Sequence, residues 1–246
     1  MLTNYKKVDR YKKAFITLLS SVDYLPAVLV LNKSLRLTKS NYELVVAVTK
    51  DIVDKVQLPL IKEGIFIEKI PKLSYTKKVI DSWSQETSTI QNTASKIAIF
   101  GLTSYEHLIY IDADVLVLKN IDELFNYPVG SILWDGNICF SGLFSFRPSN
   151  YSVNWLLDII TNEDIVDGDL LAGVFNTAIT DLNYRIPDKY LLHIMMWERL
   201  TEKQDIKVVH FCLNKYKPWI TEIPMEGKTL LNAYSKLVHN FQEKYK

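Results

Sequence analysis

The first 70 residues alternate between short apolar runs rich in strand formers and longer runs with helical spacing. AFITLLS (14–20), YELVVAVT (42–49) and IFIEKI (65–70) have the length and composition of strands. Two helix-type runs, DYLPAVLVLNKSL and DIVDKVQLPLIKEG, lie between them. Because a β-α-β-α-β order is typical of parallel strands joined by crossover helices, the pattern predicts an α/β protein with a parallel sheet covered by helices.

The two helix-type runs also carry signals at their ends. Asp23 and Asp51 precede them as candidate N-caps, and Pro26 lies in the first turn of the first run. Gly64 follows the second run, where a glycine often ends a helix. Residues 71–91 have no clear period and predict a loop or short helices.

Similar elements continue to the end of the chain. They are a helix in NTASKIAIFGL, a strand in HLIYID, a short helix in NIDELF, strands in VGSILW and GLFSFRP, helices in YSVNWLLDIIT and DLLAGVFNTAIT, a strand in IKVVHF and a polar-faced tail helix. The sequence has no internal repeat and no low-complexity linker. We therefore expect one domain over residues 1–246, with a C-terminal helical tail over 226–246.

Composition and charge exclude several classes of protein. Apolar residues make up 48% of the chain and the formal net charge is +1, so no field favours nucleic acid or an anionic membrane. A basic stretch precedes AFITLL, but Ser20, Ser21 and Asp23 interrupt the apolar run, so we expect no signal peptide. No uncharged window is long enough to span a bilayer, which favours a cytoplasmic protein. Cys139 and Cys212 lack metal or redox spacing and are interpreted as buried reduced thiols.

Two carboxylates interrupt the apolar run HLIYIDADVLVL. Asp112 and Asp114 would point to the same side of an extended chain, at the carboxyl end of a strand where open α/β sheets bind ligands. Their mutual repulsion would be relieved by a hard divalent cation, and a nucleotide diphosphate could fill its further coordination positions. The alternative is a pair of solvated or helix-capping aspartates.

Other residues could complete such a site. His210 ends the late strand and is a candidate third ligand, which would favour a manganese-like ion; otherwise it is a satisfied structural histidine. Lys217 lies near it and could meet phosphate charge, and Lys96 lies on the helix before the aspartates. Either lysine alone is typical of a solvated surface. For the tryptophans, core packing is a better interpretation than a sugar platform: Trp134, Trp155, Trp197 and Trp219.

These segments resemble the glycogenin-type members of glycosyltransferase family 8. The resemblance covers about 14–219 and is carried by AFITLLSSVDYLPAVLVLNKSL, ASKIAIFGLTSYEHLIYIDADVLVLKNIDELF, CFSGLFSFRPS and the closing VVHF and KPW blocks. It implies a single GT-A (Rossmann-like) domain with a mainly parallel sheet. It also implies a retaining hexosyltransferase that uses a UDP-sugar, manganese (with magnesium as the alternative ion) and a glycan, protein or small-molecule hydroxyl acceptor. Glucose or galactose is the expected hexose, and a homodimer is compatible with the resemblance.

The resemblance also assigns roles to individual residues. The family's metal ligands fall on Asp112, Asp114 and His210. Its donor-binding positions fall on Leu18, Ser20, Ser21, Tyr24, Lys96, Asp112, Ala113, Asp114 and Lys217. Tyr24 would stack on uracil, and the two lysines would contact the donor phosphates. Its catalytic and sugar-binding positions fall on Lys96, Asp135 and, through a shifted loop, Asp169.

Three segments depart from the family pattern. CFSG lacks the family's asparagine before Ser-Gly. The family's D-x-x-D-Q segment is DGDLLAG here, so its second Asp and its Gln correspond to Leu171 and Ala172. The segment between His210 and the KPW block is one residue longer and lacks the usual glycine. The first two changes concern the side of the site that holds the reacting sugar and the acceptor.

Two other functions fit parts of the pattern. The altered DGDLLAG segment fits a degenerate transferase that binds a nucleotide sugar without turnover. LIYIDADVLVL also resembles the nucleophile strand of haloacid-dehalogenase-type phosphatases. In those enzymes the motif lies near the start of the domain, whereas three predicted βα units precede it here.

Overall fold

The structure, a computed structural model, describes residues 13–82, 92–127, 129–134, 138–165, 185–197, 199–223 and 229–245. Strands within these ranges form two sheets. They are Lys13–Leu19 (β1), Leu44–Thr49 (β2), Phe66–Ile70 (β3), His107–Ile111 (β4), Val115–Val117 (β5), Gly130–Trp134 (β6), Ile138–Phe146 (β7), Leu192–His193 (β8) and Val208–His210 (β9).

Helices flank these strands. The α-helices of the described ranges are Leu25–Leu37 (α1), Val53–Lys62 (α2), Lys77–Ser82 (α3), Asn150–Asn162 (α4), Ile194–Trp197 (α5) and Leu230–Lys244 (α6). Short 3-10 segments are Val22–Tyr24, Ala94–Gly101, Asp122–Asn126, Asp188–Tyr190 and Asn214–Tyr216. None of the described helices combines the length and the apolar character needed to cross a membrane.

The central sheet has six strands in the order β3-β2-β1-β4-β7-β6. The first four are parallel, and β7 and β6 continue the sheet in antiparallel fashion. All six residues of β2 are buried, as expected for a parallel strand covered on both faces. The predicted α/β class with a mainly parallel central sheet is therefore confirmed.

Alternating side chains of β1 pack into two separate hydrophobic cores, one on each face of the sheet. Phe15 and Leu19 pack into the core beneath α1, α2 and α6, whereas Ile16 and Leu18 pack into the core with α4 and the 3-10 segment Ala94–Gly101. Complete burial of each such side chain contributes about 1.5–3 kcal/mol relative to an exposed position. These cores hold the carboxyl ends of the central strands in place.

A second sheet, in the order β5-β9-β8, is the main feature that the sequence pattern did not predict. The VLV run after the aspartates forms β5 and pairs antiparallel with β9, with Val115 opposite His210. The strand β8 pairs parallel with the other side of β9. Because β5 has only three residues, its strand character was hidden in the longer apolar run that includes β4.

Several local predictions were wrong. Asp23 and Asp51 do not cap helices, because Tyr24 and Ile52 occupy the N-cap positions; the Asp51 carboxylate instead pairs with Lys72 at 2.7 Å. The run NTASKIAIFGL forms a 3-10 segment rather than an α-helix.

Predictions for the tryptophans had mixed outcomes. Trp155 is 50% exposed because it lies off the buried Val153–Leu156–Ile160 stripe of α4. Trp197 and Trp219 pack partly buried against the core, as predicted. The side chain of Trp134 and the predicted helix DLLAGVFNTAIT lie outside the part of the chain that the structure describes.

Candidate active site

The aspartates lie on a bend that joins the two sheets. The strand β4 ends at Ile111, and β5 begins in the second sheet at Val115. The backbone N–H of Asp112 donates to the Gly142 carbonyl at 2.9 Å, and that of Phe211 donates to the Asp114 carbonyl at 2.9 Å. The two carboxylates therefore converge through a bend fixed to β7 and to the end of β9, and not through the extended chain that we expected.

His210 lies between the two carboxylates. Its Nε2 is 3.0 Å from Asp114 Oδ1 and 3.6 Å from Asp112 Oδ2. His210 and Asp114 are buried, and the Asp112 side chain is 23% exposed and faces the adjacent cavity. The buried Nδ1 of His210 has no hydrogen-bond partner among the described residues. The antiparallel β5–β9 pairing thus brings together groups 96 residues apart in the chain.

Two buried lysines neutralise the aspartates. Lys217 Nζ is 3.0 Å from Asp114 Oδ2, and Lys96 Nζ is 3.5 Å from Asp112 Oδ1. Burial alone would raise the pKa of Asp114, but the charge of Lys217 and hydrogen bonds from Lys217 and His210 hold that pKa below its usual value. Burial also opposes protonation of Lys217, yet Asp114 and Tyr24 raise its pKa above the usual value. Neither lysine is the solvated residue that its sequence position alone would indicate.

The donor set suits a hard divalent cation. A carboxylate oxygen from each aspartate and an imidazole nitrogen from His210 lie within 4.8 Å of one another. Ligand atoms that share an octahedral cation with bonds of about 2.0–2.1 Å are separated by about 3 Å. The 3.0 Å and 3.6 Å separations around His210 Nε2 approach that spacing. Mixed imidazole and carboxylate ligands also match a manganese-like ion, so the residues fit the implied metal.

A cavity of about 380 Å³ opens beside this cluster. Its volume lies in the range of small-molecule sites. Every described donor-binding position predicted from the sequence lines this cavity: Leu18, Ser20, Ser21, Tyr24, Lys96, Asp112, Ala113, Asp114 and Lys217. The structure thus brings these residues together. Asp135 and Asp169, the other predicted site residues, lie outside the described ranges.

Tyr24 lines the cavity and contacts the charged cluster. Its hydroxyl accepts a hydrogen bond from Lys217 Nζ at 2.8 Å, and its ring packs edge-on against Trp219 with centroids 5.1 Å apart. Ser20 Oγ donates to the Asn92 carbonyl at 2.8 Å. The lone pairs of Ser20 Oγ can still accept a hydrogen bond from a ligand in the cavity. The aromatic and hydroxyl groups suit the end of a nucleotide remote from its phosphates.

Sequence reasoning missed several residues that line the cavity. They are Asn92, Thr93, Tyr110, Phe140, Ser141 and Cys212. Tyr110 could have been found, because it precedes Asp112 by two residues and strand alternation gives both the same face. Ser141 accepts two hydrogen bonds from Lys96 Nζ, through its carbonyl at 3.1 Å and its hydroxyl at 3.3 Å. That contact depends on the pairing of β7 with β4, which no local pattern revealed.

Comparison with known proteins identifies relatives of the chain. The sequence profile of Glycosyl transferase family 8 matches residues 15–133. Galactinol synthase 6 of Arabidopsis thaliana is 29% identical, over 86% of this chain and 74% of that protein. Glycogenin-1 of Oryctolagus cuniculus is 33% identical, over 84% of this chain and 65% of that protein. This chain therefore spans slightly less than two thirds of the length of rabbit glycogenin-1.

The fold is also that of solved glycosyltransferases. The galactosyltransferase LgtC, solved with donor and acceptor sugar analogues, superposes with a TM-score of 0.56. The superposition covers 92% of this chain and 95% of LgtC at 16% identity, so the likeness is one of fold, the GT-A fold. The sequence matches, this fold and the segments HLIYIDADVLVL, CFSGLFSFRPS and KPW agree on one assignment. The chain is a glycogenin-like member of glycosyltransferase family 8.

Proposed function

We propose that this chain is a metal-dependent, retaining transferase that moves a hexose from a UDP-sugar to a hydroxyl acceptor. The observation that carries the proposal is the convergence of Asp112, Asp114 and His210 at one wall of a cavity that also holds two buried lysines. The names of the relatives, galactinol synthase, glycogenin and galactosyltransferase, support glucose or galactose as the sugar.

Charge balance supports a donor that arrives with its cation. The two aspartates and the two lysines sum to zero, so the cluster as it stands has little net attraction for a lone cation or a lone diphosphate. A UDP-sugar with two negative charges and a divalent cation also sum to zero. The net charge of the cluster therefore matches a UDP-sugar bound together with a divalent cation better than it matches the nucleotide sugar or the cation alone.

We assign the metal to Asp112, Asp114 and His210. When bound, the cation supplies Lewis-acid stabilisation of negative charge on the departing diphosphate. Lys96 and Lys217 lie at the same wall and would donate to phosphate oxygens, with Ser141 and Tyr24 holding the two ammonium groups. Because both lysines are preorganised and buried, their stabilisation requires little rearrangement as charge develops.

Transfer breaks the bond between the anomeric carbon and the phosphate oxygen and forms a bond to the acceptor oxygen. For retention, the acceptor attacks from the face that the leaving group vacates, or a covalent glycosyl-enzyme forms first. In either route an oxygen of the departing diphosphate takes the acceptor proton, and in the covalent route the acceptor oxygen also displaces the enzyme carboxylate that first replaced the diphosphate. We propose Asp135 for the sugar hydroxyls and Asp169 as the candidate nucleophile of the second route.

The test is a screen of UDP release from UDP-glucose, UDP-galactose, UDP-xylose and UDP-N-acetylglucosamine, with Mn²⁺ or with EDTA. We expect Mn²⁺-dependent hydrolysis of UDP-glucose or UDP-galactose. Asp112→Asn and Asp114→Asn should each abolish this hydrolysis. The control variant Asp122→Asn should not, because the Asp122 carboxylate accepts hydrogen bonds from Ser40 and Asn41 and does not line the cavity. Undiminished turnover in both site variants would refute the assignment.

A nucleotide-sugar-binding protein without turnover is the second candidate. It is favoured by Leu171 and Ala172, which replace the family's Asp and Gln. Mn²⁺-dependent UDP binding with no hydrolysis or transfer for any donor would support it over the transferase. The phosphatase alternative loses its basis, because the family match covers the DAD segment itself.

A further inference from the structure

We propose that Tyr110 is a positioning residue that restricts Asp112 to one metal-binding oxygen. The proposal rests on the metal site of the proposed function and goes beyond it. Tyr110 hydroxyl donates to Asp112 Oδ1 at 2.7 Å, and Lys96 Nζ lies 3.5 Å from that same oxygen. The other oxygen, Oδ2, lies 3.6 Å from His210 Nε2. The two oxygens of Asp112 therefore have different surroundings.

The phenol is itself held firmly. Tyr110 is 2% exposed, and its ring stacks on Phe144 with centroids 4.8 Å apart and an interplanar angle of 16°. Lys96 Nζ lies 4.8 Å from the centre of the same ring. The side chain of Asp112, in contrast, is the most exposed of the ligand set, at 23% against 7% for Asp114 and 3% for His210. A rigid donor thus orients the ligand that would otherwise have the most freedom.

Gly142 restricts the second oxygen. A Cβ atom at this position would lie 3.0 Å from Asp112 Oδ2 and 2.6 Å from Phe140 Cε1. The bare Cα of Gly142 therefore leaves room for Oδ2 to face His210. The phenol on one side and the glycine on the other fix the rotation of the Asp112 carboxylate.

The two carboxylate oxygens of Asp114 also have different partners. Its Oδ2 is held by Lys217 Nζ at 3.0 Å, and its Oδ1 faces His210 Nε2 at 3.0 Å. Asp114 therefore presents Oδ1 to His210, while Lys217 holds its other oxygen. Binding through a single oxygen of Asp112 would suit Mn²⁺ or Mg²⁺ better than Ca²⁺, because Ca²⁺ prefers more oxygen ligands and accepts two from one carboxylate.

Tyr110→Phe removes the donor and keeps the ring, its stacking and its contact with Lys96. Partners of metal ligands typically change metal affinity 10- to 100-fold when removed. We expect Tyr110→Phe to weaken Mn²⁺ binding about 10-fold and to lower the preference for Mn²⁺ over Ca²⁺, since Oδ1 then loses its short hydrogen bond, keeps only the longer contact with Lys96 and can turn toward the metal.

The matched control is Tyr105→Phe. Tyr105 hydroxyl donates to Glu68 Oε1 at 2.9 Å, which is the same type of phenol–carboxylate bond at a place remote from the cavity. The probe is Mn²⁺ titrated at saturating UDP and followed by electron paramagnetic resonance, with Ca²⁺ competition and a thermal melt of each variant.

The proposal predicts a loss of Mn²⁺ affinity and Mn²⁺ preference in Tyr110→Phe and no such loss in Tyr105→Phe, with comparable small decreases in melting temperature, since each variant loses one phenol–carboxylate hydrogen bond. Equal Mn²⁺ affinity and Mn²⁺/Ca²⁺ preference in wild type and Tyr110→Phe would overturn it and leave the proposed function standing. Failure of the wild type to bind Mn²⁺ would overturn the proposed function and, with it, this inference.

Discussion

Replacing Lys217 with methionine should destabilise the metal-free protein strongly. The change removes a cation 3.0 Å from Asp114 Oδ2 and keeps most of the side-chain volume. The side chain of Asp114 is 7% exposed and that of Lys217 is 5% exposed, so water can replace little of the lost interaction. Among the described residues, His210 then remains as the ion-pair partner of this buried aspartate.

The magnitude follows from the geometry. At 3.0 Å and an effective dielectric constant of about 20, two unit charges attract by about 5 kcal/mol. Removal of one partner from a buried pair typically costs about 3–5 kcal/mol of unfolding free energy. For a chain of 246 residues, such a loss lowers the melting temperature by roughly 10 °C.

Urea denaturation in EDTA, followed by circular dichroism, measures the loss. Lys72→Met is the control, because Lys72 pairs with Asp51 at 2.7 Å but both side chains are more than one third exposed. That variant should change the unfolding free energy by less than about 1 kcal/mol. Adding Asp114→Asn to Lys217→Met should restore part of the loss, since no buried charge then remains unpaired. Equal, small effects of Lys217→Met and Lys72→Met would refute the buried pair.

Two further predictions concern titratable groups outside the ligand set. Burial, with the charges of Arg147 and Lys13, lowers the pKa of His107 to about 4. In the unfolded chain this imidazole is protonated near its ordinary pKa of 6.5, so the unfolding free energy should fall by about 2–3 kcal/mol between pH 7 and pH 4. In His107→Gln, urea denaturation should show a dependence of the unfolding free energy on pH that is smaller by this amount. An unchanged slope would contradict the assignment. Burial, assisted by Asp114, raises the pKa of the Cys212 thiol to about 12. Iodoacetamide at pH 8 should therefore alkylate it at least roughly 100-fold more slowly in the folded protein than in urea, by mass spectrometry; equal rates would show an accessible thiolate.

The local sequence was enough to predict the parallel part of the sheet. The runs that became β1 and β2 are mainly apolar on both faces, the edge strand β3 mixes apolar and charged residues, and the helices between them have clear spacing. Errors occurred where tertiary contacts replaced a local signal. Asp51 has the residue type of an N-cap, but pairing with Lys72 directs its carboxylate elsewhere.

In the candidate site, too, some residues could be predicted from local sequence and others depend on tertiary contacts. Asp112 and Asp114 stood out because charge interrupted an apolar run, and family resemblance added His210, Lys96 and Lys217. The sequence could not reveal that the chain bends between them into a second sheet, because three residues of β5 carry no period. The roles of Ser141, Gly142 and Tyr110 depend on where β7 lies beside β4, and such pairing is long-range information.

Calorimetric titration of UDP tests the central claim most directly. The claim is that Asp112, Asp114 and His210 hold a divalent cation that the nucleotide diphosphate shares. UDP should bind the wild-type chain in Mn²⁺, and binding should be lost in EDTA and in Asp114→Asn. UDP binding of the same strength in EDTA, or in Asp114→Asn with Mn²⁺ present, would contradict a shared metal site.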